Sequence, residues 1–458
     1  MILDRVPLKP LWAPSRSVVE QSNLKKFQNW LFVKKGLYFR DYHDLWDWSV
    51  TDIEDFWESI WSFCDVKTHS LYWDVVVPDK KNWARTKWFT GATINYAEHI
   101  FRHKNANKPA FLYQNEGEPL REFSWKELEK HVATVATSLR HMGVSEGDNV
   151  MGILPNIPQA VIAFLAVHAI GAVWSISSPS TDVKTLSERA KVLAPKVVFV
   201  HHSVRQLPSL KHGTITVAVP SNDEASPWHT TDTWSSLLKM PSPPLEFTYV
   251  SFEHPLWASF STNVPVFHTT GGILLEHLKL LTIHQNFKGS DRILWHTPSD
   301  TTTWQLSVST LLTGATPVFY QGDGLQKGHL WESIDRNKIN HFGCSTAFLA
   351  TLKTSLPNFK FNSLQSITTY DAPLLAEEFE WVYQHVKKDV WLVGLSTHPY
   401  LGSSLVGGSP TLPVFAGETQ CILLGCKSAT FPDKSQLVRQ PWSNDLLAQP
   451  LPSIPFAK

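Results

Sequence analysis

Residues 148–202 read DNVMGILPNIPQAVIAFLAVHAIGAVWSISSPSTDVKTLSERAKVLAPKVVFVHH. Three short runs, DNVMGILP, AVWSIS and KVVFVHH, are apolar, rich in β-branched residues and closed by polar or turn-forming ones. That pattern predicts strands. Between them lie two helical segments of different kinds. IPQAVIAFLAVHAIG is apolar on every side and is expected to be buried. TDVKTLSERAKVL repeats its apolar residues at helical spacing and is expected to be amphipathic. Strands that alternate with helices in this way predict a parallel sheet covered on both faces.

The alternation continues downstream. LLEHLKLLTIH is expected as helix and DRILWHT as strand, followed by WQLSVSTLLTG as helix and ATPVFY as strand. The segments from WESIDRNK to DVWLVGLS complete a second α/β set. Residues 203–250, with SNDEASP and PSPPLEF, read as loop or subdomain boundary. From about residue 405 the chain turns to glycine, proline and short β runs, expected as a smaller β element. Upstream, FSWKELEKHVATVATSLRHMG carries a capping-box pair, Ser124 and Glu127, and stops at Gly143. Thr51 and Glu54 have the same spacing ahead of Phe56 and Trp57. The organisation expected is a helical cap over residues 1–100 and an α/β core over 101–458.

The chain has 458 residues, 43% hydrophobic and 18% charged, which fits a globular protein with a sizeable core. Lys+Arg and Asp+Glu are both 41, so charge gives no support for nucleic acid as a partner. The four cysteines, Cys64, Cys344, Cys421 and Cys426, show no metal or disulfide spacing. The most apolar run, Ala160–Trp174, is too short to span a bilayer and contains His168. No signal-like run opens the chain, and a cytoplasmic location is expected. Many of the 20 tryptophans fall early: Trp46, Trp48, Trp57, Trp61, Trp73, Trp83 and Trp88. They are expected to fix the cap to the body, because Trp offers a large contact area.

One stretch raises a chemical question. Residues 258–277, ASFSTNVPVFHTTGGILLEH, begin like a strand and end like a helix, with Ser261, Thr262, Thr269, Thr270, Gly271 and Gly272 between. A phosphate-binding turn places glycines where backbone N–H groups approach phosphate oxygens, often beside a lysine. Here valine, proline, phenylalanine and histidine fill the middle, and the next lysine is Lys279.

Several strings resemble the adenylate-forming (AMP-binding) acyl-CoA ligases, and within them look most like the acetoacetyl-CoA synthetase branch. They include WFTGATINYAEHI (88–100), residues 143–180, GGILLEHLKLL (271–281) and VGGSPTLPVFAGETQ (406–420). The resemblance covers roughly residues 40–455. It implies the large N-terminal domain of those enzymes: stacked α/β layers with a small β element and a helical cap. It also implies ATP and Mg²⁺ as cofactors, coenzyme A as co-substrate and a small carboxylic or keto acid as substrate. Implied cofactor-binding residues are Ser261, Thr262, Thr369, Tyr370, Asp371 and Glu418.

The chain departs from the family pattern at the sites that handle nucleotide. The SSGTTGxPK-like loop is represented by Ser261 and Thr262. Its glycines and lysine are replaced, about five residues are missing and Val266 stands near the lysine position. The SGGTD-like segment is Ser396-Thr397-His398-Pro399-Tyr400, with neither its threonine nor its carboxylate. The adenine turn is Thr369-Tyr370-Asp371-Ala372-Pro373-Leu374. In the tryptophan-rich segment Trp304 remains, and Thr301 stands for the first tryptophan. The chain ends at NDLLAQPLPSIPFAK, which resembles a region ahead of the family's C-terminal lysine domain. That domain, about 100 residues or more, is expected to be absent.

The expectation is therefore an acid–thiol ligase by ancestry that is impaired or inactive. Two alternatives stay open. One is a partial ligase with an altered acyl substrate. The other is a non-catalytic binding or regulatory protein that pairs with an intact ligase. His398 and the His201-His202 pair are read as structural, without a third metal ligand in view.

Overall fold

The computed structural model describes residues 9–70, 74, 86–220, 230–261, 264–325, 328–355, 359–427, 449 and 451–453. Two seven-stranded sheets form the body. In the first sheet the strands from the opening stretch, Asn149–Ile153, Val173–Ser177 and Val197–His201, run parallel at the centre. Nearly every residue of these strands is buried, as expected of a sheet covered on both faces. The all-apolar segment forms helix Pro158–Ala169, which begins with proline and is almost wholly buried. The amphipathic segment forms helix Val183–Leu193, capped by Asp182.

The stretch expected as loop, 203–250, instead extends this sheet. Ile215–Val219 and Asp232–Thr233 add two more parallel strands. At the opposite edge, Pro255–Ser261 pairs parallel with Val173–Ser177 and antiparallel with Val264–Thr269.

The second sheet runs Trp391–Leu395, Ser366–Tyr370, His341–Ser345, Arg292–His296, Thr316–Gln321, Pro109–Asn115 and Arg121–Ser124. All neighbours are parallel except the last pair. Short antiparallel pairs at residues 397–422 supply the smaller β element.

The cap consists of helices Arg16–Glu20, Asn23–Lys35, Tyr42–Thr51 and Ile53–Phe63. It shares one continuous hydrophobic core with the body. Ring contacts run from Phe56 through Trp57 to Trp88, and from Trp61 through Phe89 to Phe252, with Trp61 and Phe89 stacked at 4.4 Å. Hydrogen bonds lock the two together. The Asn23 side chain donates to the Thr282 and Phe287 carbonyls at 3.0 and 2.9 Å. Trp46 Nε1 donates to the Cys426 carbonyl at 3.1 Å, and the Tyr42 hydroxyl to that of Ile422 at 2.7 Å. The early tryptophans thus serve packing; Trp73 and Trp83 lie outside the described residues.

Of the two expected capping boxes, Ser124 caps helix Trp125–His141 by accepting from the Glu127 N–H at 3.1 Å. Thr51 does not cap. It ends the preceding helix and donates back to the Asp47 carbonyl at 2.7 Å, leaving Asp52 at the N-cap.

Candidate functional site

In open α/β sheets, ligands sit beyond the carboxyl ends of the strands, where loops diverge. The second sheet supplies three such ends: residues following Arg292–His296, Ser366–Tyr370 and Trp391–Leu395. They meet the strands of the first sheet around a pocket of about 180 Å³. Asp300–Thr303 and Gln305 line it from the first of these ends, Asp371 from the second, and Thr397 and Pro399 from the third. Ile176, Arg189 and Ala258–Phe260 close it from the first sheet.

The pocket lining combines polar residues with Arg189, Asp300 and Asp371. Gln305 is 5% exposed and donates to Ser259 Oγ at 3.3 Å, while its own Oε1 has no partner. Thr302, 7% exposed, likewise has an unpartnered hydroxyl. Arg189 donates through Nη1 to Ser177 Oγ at 2.9 Å and lies 4.9 Å from the Phe260 ring centroid; its Nε is buried without a partner. Burial lowers its pKa, and Asp300 and Asp182 oppose the shift. Asp371 takes a left-handed conformation, φ +74°, that aspartate tolerates better than most residues. Burial raises the pKa of its carboxyl against the Thr397 hydroxyl.

Of the expected cofactor-binding residues, Asp371 is the one among the described residues that lines this pocket. Thr369 is fully buried within its strand, its hydroxyl directed to the Val393 carbonyl. Tyr370 is also buried, and its hydroxyl donates to the His296 carbonyl. Thr369 and Tyr370 point to opposite faces of a sheet covered on both, so both are buried, whereas Asp371 lies in the turn just past the strand end. Glu418 sits in a separate turn, its backbone N–H donating to the Phe415 carbonyl at 3.3 Å. Ser261 ends its strand opposite Val264, and Thr262 lies outside the described residues. Arg189, Gln305 and Ser259 were not singled out from sequence. Arg189 lies in an amphipathic segment, where a charged residue ordinarily reads as solvated.

The phosphate-loop question has a geometric answer. Ser261 pairs with Val264, so two residues separate the paired strands. Val266, which the resemblance puts near the lysine position, is a strand residue 8% exposed and paired with Ser259. The Thr-Thr-Gly-Gly sequence is not a loop but the start of helix Thr270–Leu278. Thr269 is its N-cap and accepts from the Gly272 N–H at 3.2 Å. All four residues are buried. A Cβ on Gly271 would fall 2.1 Å from the Phe252 ring, and one on Gly272 would fall 2.0 Å from the Pro452 carbonyl oxygen. These glycines admit protein neighbours, not phosphate. Lys279 is fully buried and pairs with Glu276 at 2.9 Å. It sits 5.0 Å from the Trp57 ring centroid.

The remaining candidates are structural. His398 accepts the Tyr400 N–H through Nδ1 at 3.1 Å, closing its own turn. Tyr400, at the position of the metal-holding carboxylate, is exposed. His201 pairs through Nδ1 with Ser203 Oγ at 2.7 Å. Cys421 and Cys426 are buried, which pushes both thiols up to about 12. Among the described residues, no three or more His, Cys, Asp or Glu side chains gather as a metal site, and no helix is long and apolar enough to cross a membrane.

The family model described as AMP-binding enzyme matches residues 98–394. The chain belongs to the AMP-binding enzyme family. A second model, acetyl-coenzyme A synthetase N-terminus, matches residues 42–100, the region of the cap. Within the AMP-binding family the likeness is to acetoacetyl-CoA synthetases. The chain is 30% identical to that of Gallus gallus, covering 97% of this chain and 72% of the relative. It is also 30% identical to that of Rhizobium meliloti (strain 1021), covering 98% and 73%. The solved structure of acetoacetyl-CoA synthetase from Streptomyces lividans superposes with a TM-score of 0.86 at 30% identity, covering 98% of this chain and 74% of that one. The family acts on carboxylic acids with ATP, Mg²⁺ and coenzyme A. At the positions that the motif resemblance assigns to Mg²⁺–ATP, the described residues do not supply the expected groups: Ser261 and Val264 are paired strand residues, and Pro399 and Tyr400 offer neither a phosphate donor nor a carboxylate. A phenol is a poor ligand for a hard cation.

Proposed function

We propose that this chain is an acetoacetyl-CoA synthetase-like acid–thiol ligase by descent whose ATP-dependent activation step is impaired. The observation that carries the reading is the Ser261–Val264 pairing. Catalysis of adenylate formation rests on pre-placed donors and cations around the triphosphate. The pairing of Ser261 with Val264 commits the described backbone on either side to the strand ladder, and Val266 adds no charge.

The test is calorimetric titration of the full chain with Mg²⁺–ATP, together with a coenzyme A-acylation assay using acetoacetate. No ATP binding up to millimolar concentration and no acyl-CoA are the expected results. Micromolar binding with turnover at ordinary enzyme rates would overturn the proposal. A second reading is a binding protein that uses the retained pocket, whose lining carries Arg189, Asp300 and Asp371.

A further inference from the structure

The second helix of the cap, Asn23–Lys35, has an inner face that is accounted for and an outer face that is not. At helical spacing Asn23, Leu24, Phe27 and Leu31 share one side, and all four are buried. The opposite side runs through Lys25, Lys26, Asn29, Phe32 and Val33, with Phe32 two turns beyond Lys25 and Val33 two turns beyond Lys26. A solvated helix face carries polar residues at such positions. Here Phe32 is 60% and Val33 75% exposed. Tyr38, just past the left-handed Gly36 cap, is 76% exposed. Val33 and Tyr38 are the two most exposed large apolar side chains among the described residues.

The charge of this segment has one sign. Between Glu20 and Asp41 stand Lys25, Lys26, Lys34, Lys35 and Arg40, with no acidic residue among them. Two of these cations are committed. Lys35 pairs with Asp55 and with Glu58, the latter at 3.0 Å, and so neutralises the carboxylates that approach from helix Ile53–Phe63. Arg40 pairs with Asp44 at 2.6 Å. Lys25, Lys26 and Lys34 have no carboxylate partner among the described residues; Lys26 donates only to the Asn23 side chain, at 3.2 Å. The outer face is therefore apolar at the end of the helix, with free ammonium groups along it.

Area and charge together select the occupant. Two exposed aromatic rings and one valine offer on the order of 400 Å² of contact surface. A stable protein partner takes about 800 Å² from each side. A second copy of this face would also set lysine against lysine, because a two-fold interface brings the same patch from both chains. A bilayer asks for less. A few apolar side chains enter the boundary between headgroups and acyl chains, and nearby lysines gain from anionic headgroups. No spanning helix is needed for such contact, and none is present among the described residues. We propose that the outer face of Asn23–Lys35 docks on the surface of an anionic lipid bilayer, with Phe32, Val33 and Tyr38 inserted and Lys25, Lys26 and Lys34 at the headgroups. The inference does not depend on the state of the nucleotide site.

The full chain is sedimented with vesicles of about 3:1 phosphatidylcholine–phosphatidylserine, and with vesicles of phosphatidylcholine alone. Binding to the anionic vesicles is expected, with the neutral ones at least about tenfold weaker and with a marked loss as salt rises from about 0.1 to 1 M. Phe32→Gln/Val33→Gln should weaken vesicle binding at least about tenfold, and Lys25→Gln/Lys34→Gln by about fivefold for each lysine. Glutamine is a good helix former and these side chains do not pack in the core, so melting temperatures should be unchanged. The lysine variant carries the test if the apolar variant melts early. No sedimentation at millimolar lipid, equal binding to both kinds of vesicle, or binding unaffected by both variants overturns the proposal. Sedimentation velocity without lipid is run in parallel. A concentration-dependent dimer that Phe32→Gln/Val33→Gln abolishes would assign the face to a second copy of the chain and overturn the proposal as well.

Discussion

At the scale of single residues, Val266 and Gly271 test the proposed loss of triphosphate binding. If charge alone were missing, Val266→Lys would restore some affinity for Mg²⁺–ATP. The side chain is 8% exposed in a paired strand, so the substitution buries an ammonium among strand neighbours instead. We expect Val266→Lys to destabilise the protein by about 2 kcal/mol or more without creating ATP binding. Urea denaturation and calorimetry check the two halves, and a gain of micromolar ATP affinity would contradict the account. Gly271 tests the helix start. Helix propensity favours alanine over glycine by about 1 kcal/mol, but the added Cβ would sit 2.1 Å from the Phe252 ring. That ring packs against Phe89 and Trp61 at 5.3 and 6.4 Å and has little room to yield. Gly271→Ala is expected to lose about 1–3 kcal/mol, the usual cost of overpacking. An increase in stability would show that the glycine is not required for packing.

At the scale of elements, the helix beginning at Thr270 continues through a π-helical turn, Lys279–His284, and carries a buried ion pair into the core. Burial works against the Lys279 ammonium, but Cys426 and the Glu276 carboxylate reverse the effect and raise its pKa. Ser403 supports the carboxylate at 3.1 Å. Breaking such a pair from one side strands a buried charge, whereas replacing both partners with apolar groups is often tolerated. Lys279→Met is expected to cost about 3–5 kcal/mol, and Lys279→Met/Glu276→Leu clearly less. Denaturant midpoints of the two variants decide the matter; a double variant weaker than the single would argue against the pair as the main term. The same element shows what sequence conveys and what it hides. Its existence follows from LLEHLKLL, and the strands around it follow from their β-branched runs. Its first turn does not, because Thr-Thr-Gly-Gly fits a phosphate turn and a buried N-cap equally well. Only Phe252 and Pro452, distant in sequence, distinguish them. ITVAV at Ile215–Val219 was legible as a strand, but the polar segments around it obscured the run.

At the scale of the whole molecule, the two α/β sets do not fold as consecutive halves. Pro109–Asn115 pairs with Thr316–Gln321, so the second sheet takes its outer hairpin from ahead of the first. Local periodicity carries no information about such partners, and the candidate pocket is built the same way, from segments near residues 176, 189, 259, 302, 371 and 398. Asp371 was reachable from a motif, whereas Arg189 and Gln305 become site residues only through this assembly. The interior also holds imidazoles whose state depends on the fold. Burial lowers the pKa values of His168 and His284 to about 3, and those of His268 and His277 to about 4. In the unfolded chain each titrates near 6.5. Between those values the unfolded state binds protons that the folded state refuses, so stability is complete above about pH 6.5 and falls as pH drops toward 4. One pKa unit is worth about 1.4 kcal/mol. Four such groups therefore contribute several kcal/mol, against a total stability of about 5–15 kcal/mol. Melting temperature should be flat from pH 7 to 8 and decline steeply below pH 6. Asp291, whose carboxyl burial raises but His341 pulls lower overall, adds its own loss only further into acid. Replacing His168 with glutamine should shallow the slope between pH 6 and 4 even if it lowers stability at pH 7. An unchanged melting temperature down to pH 4 would mean that these imidazoles accept protons inside the folded core.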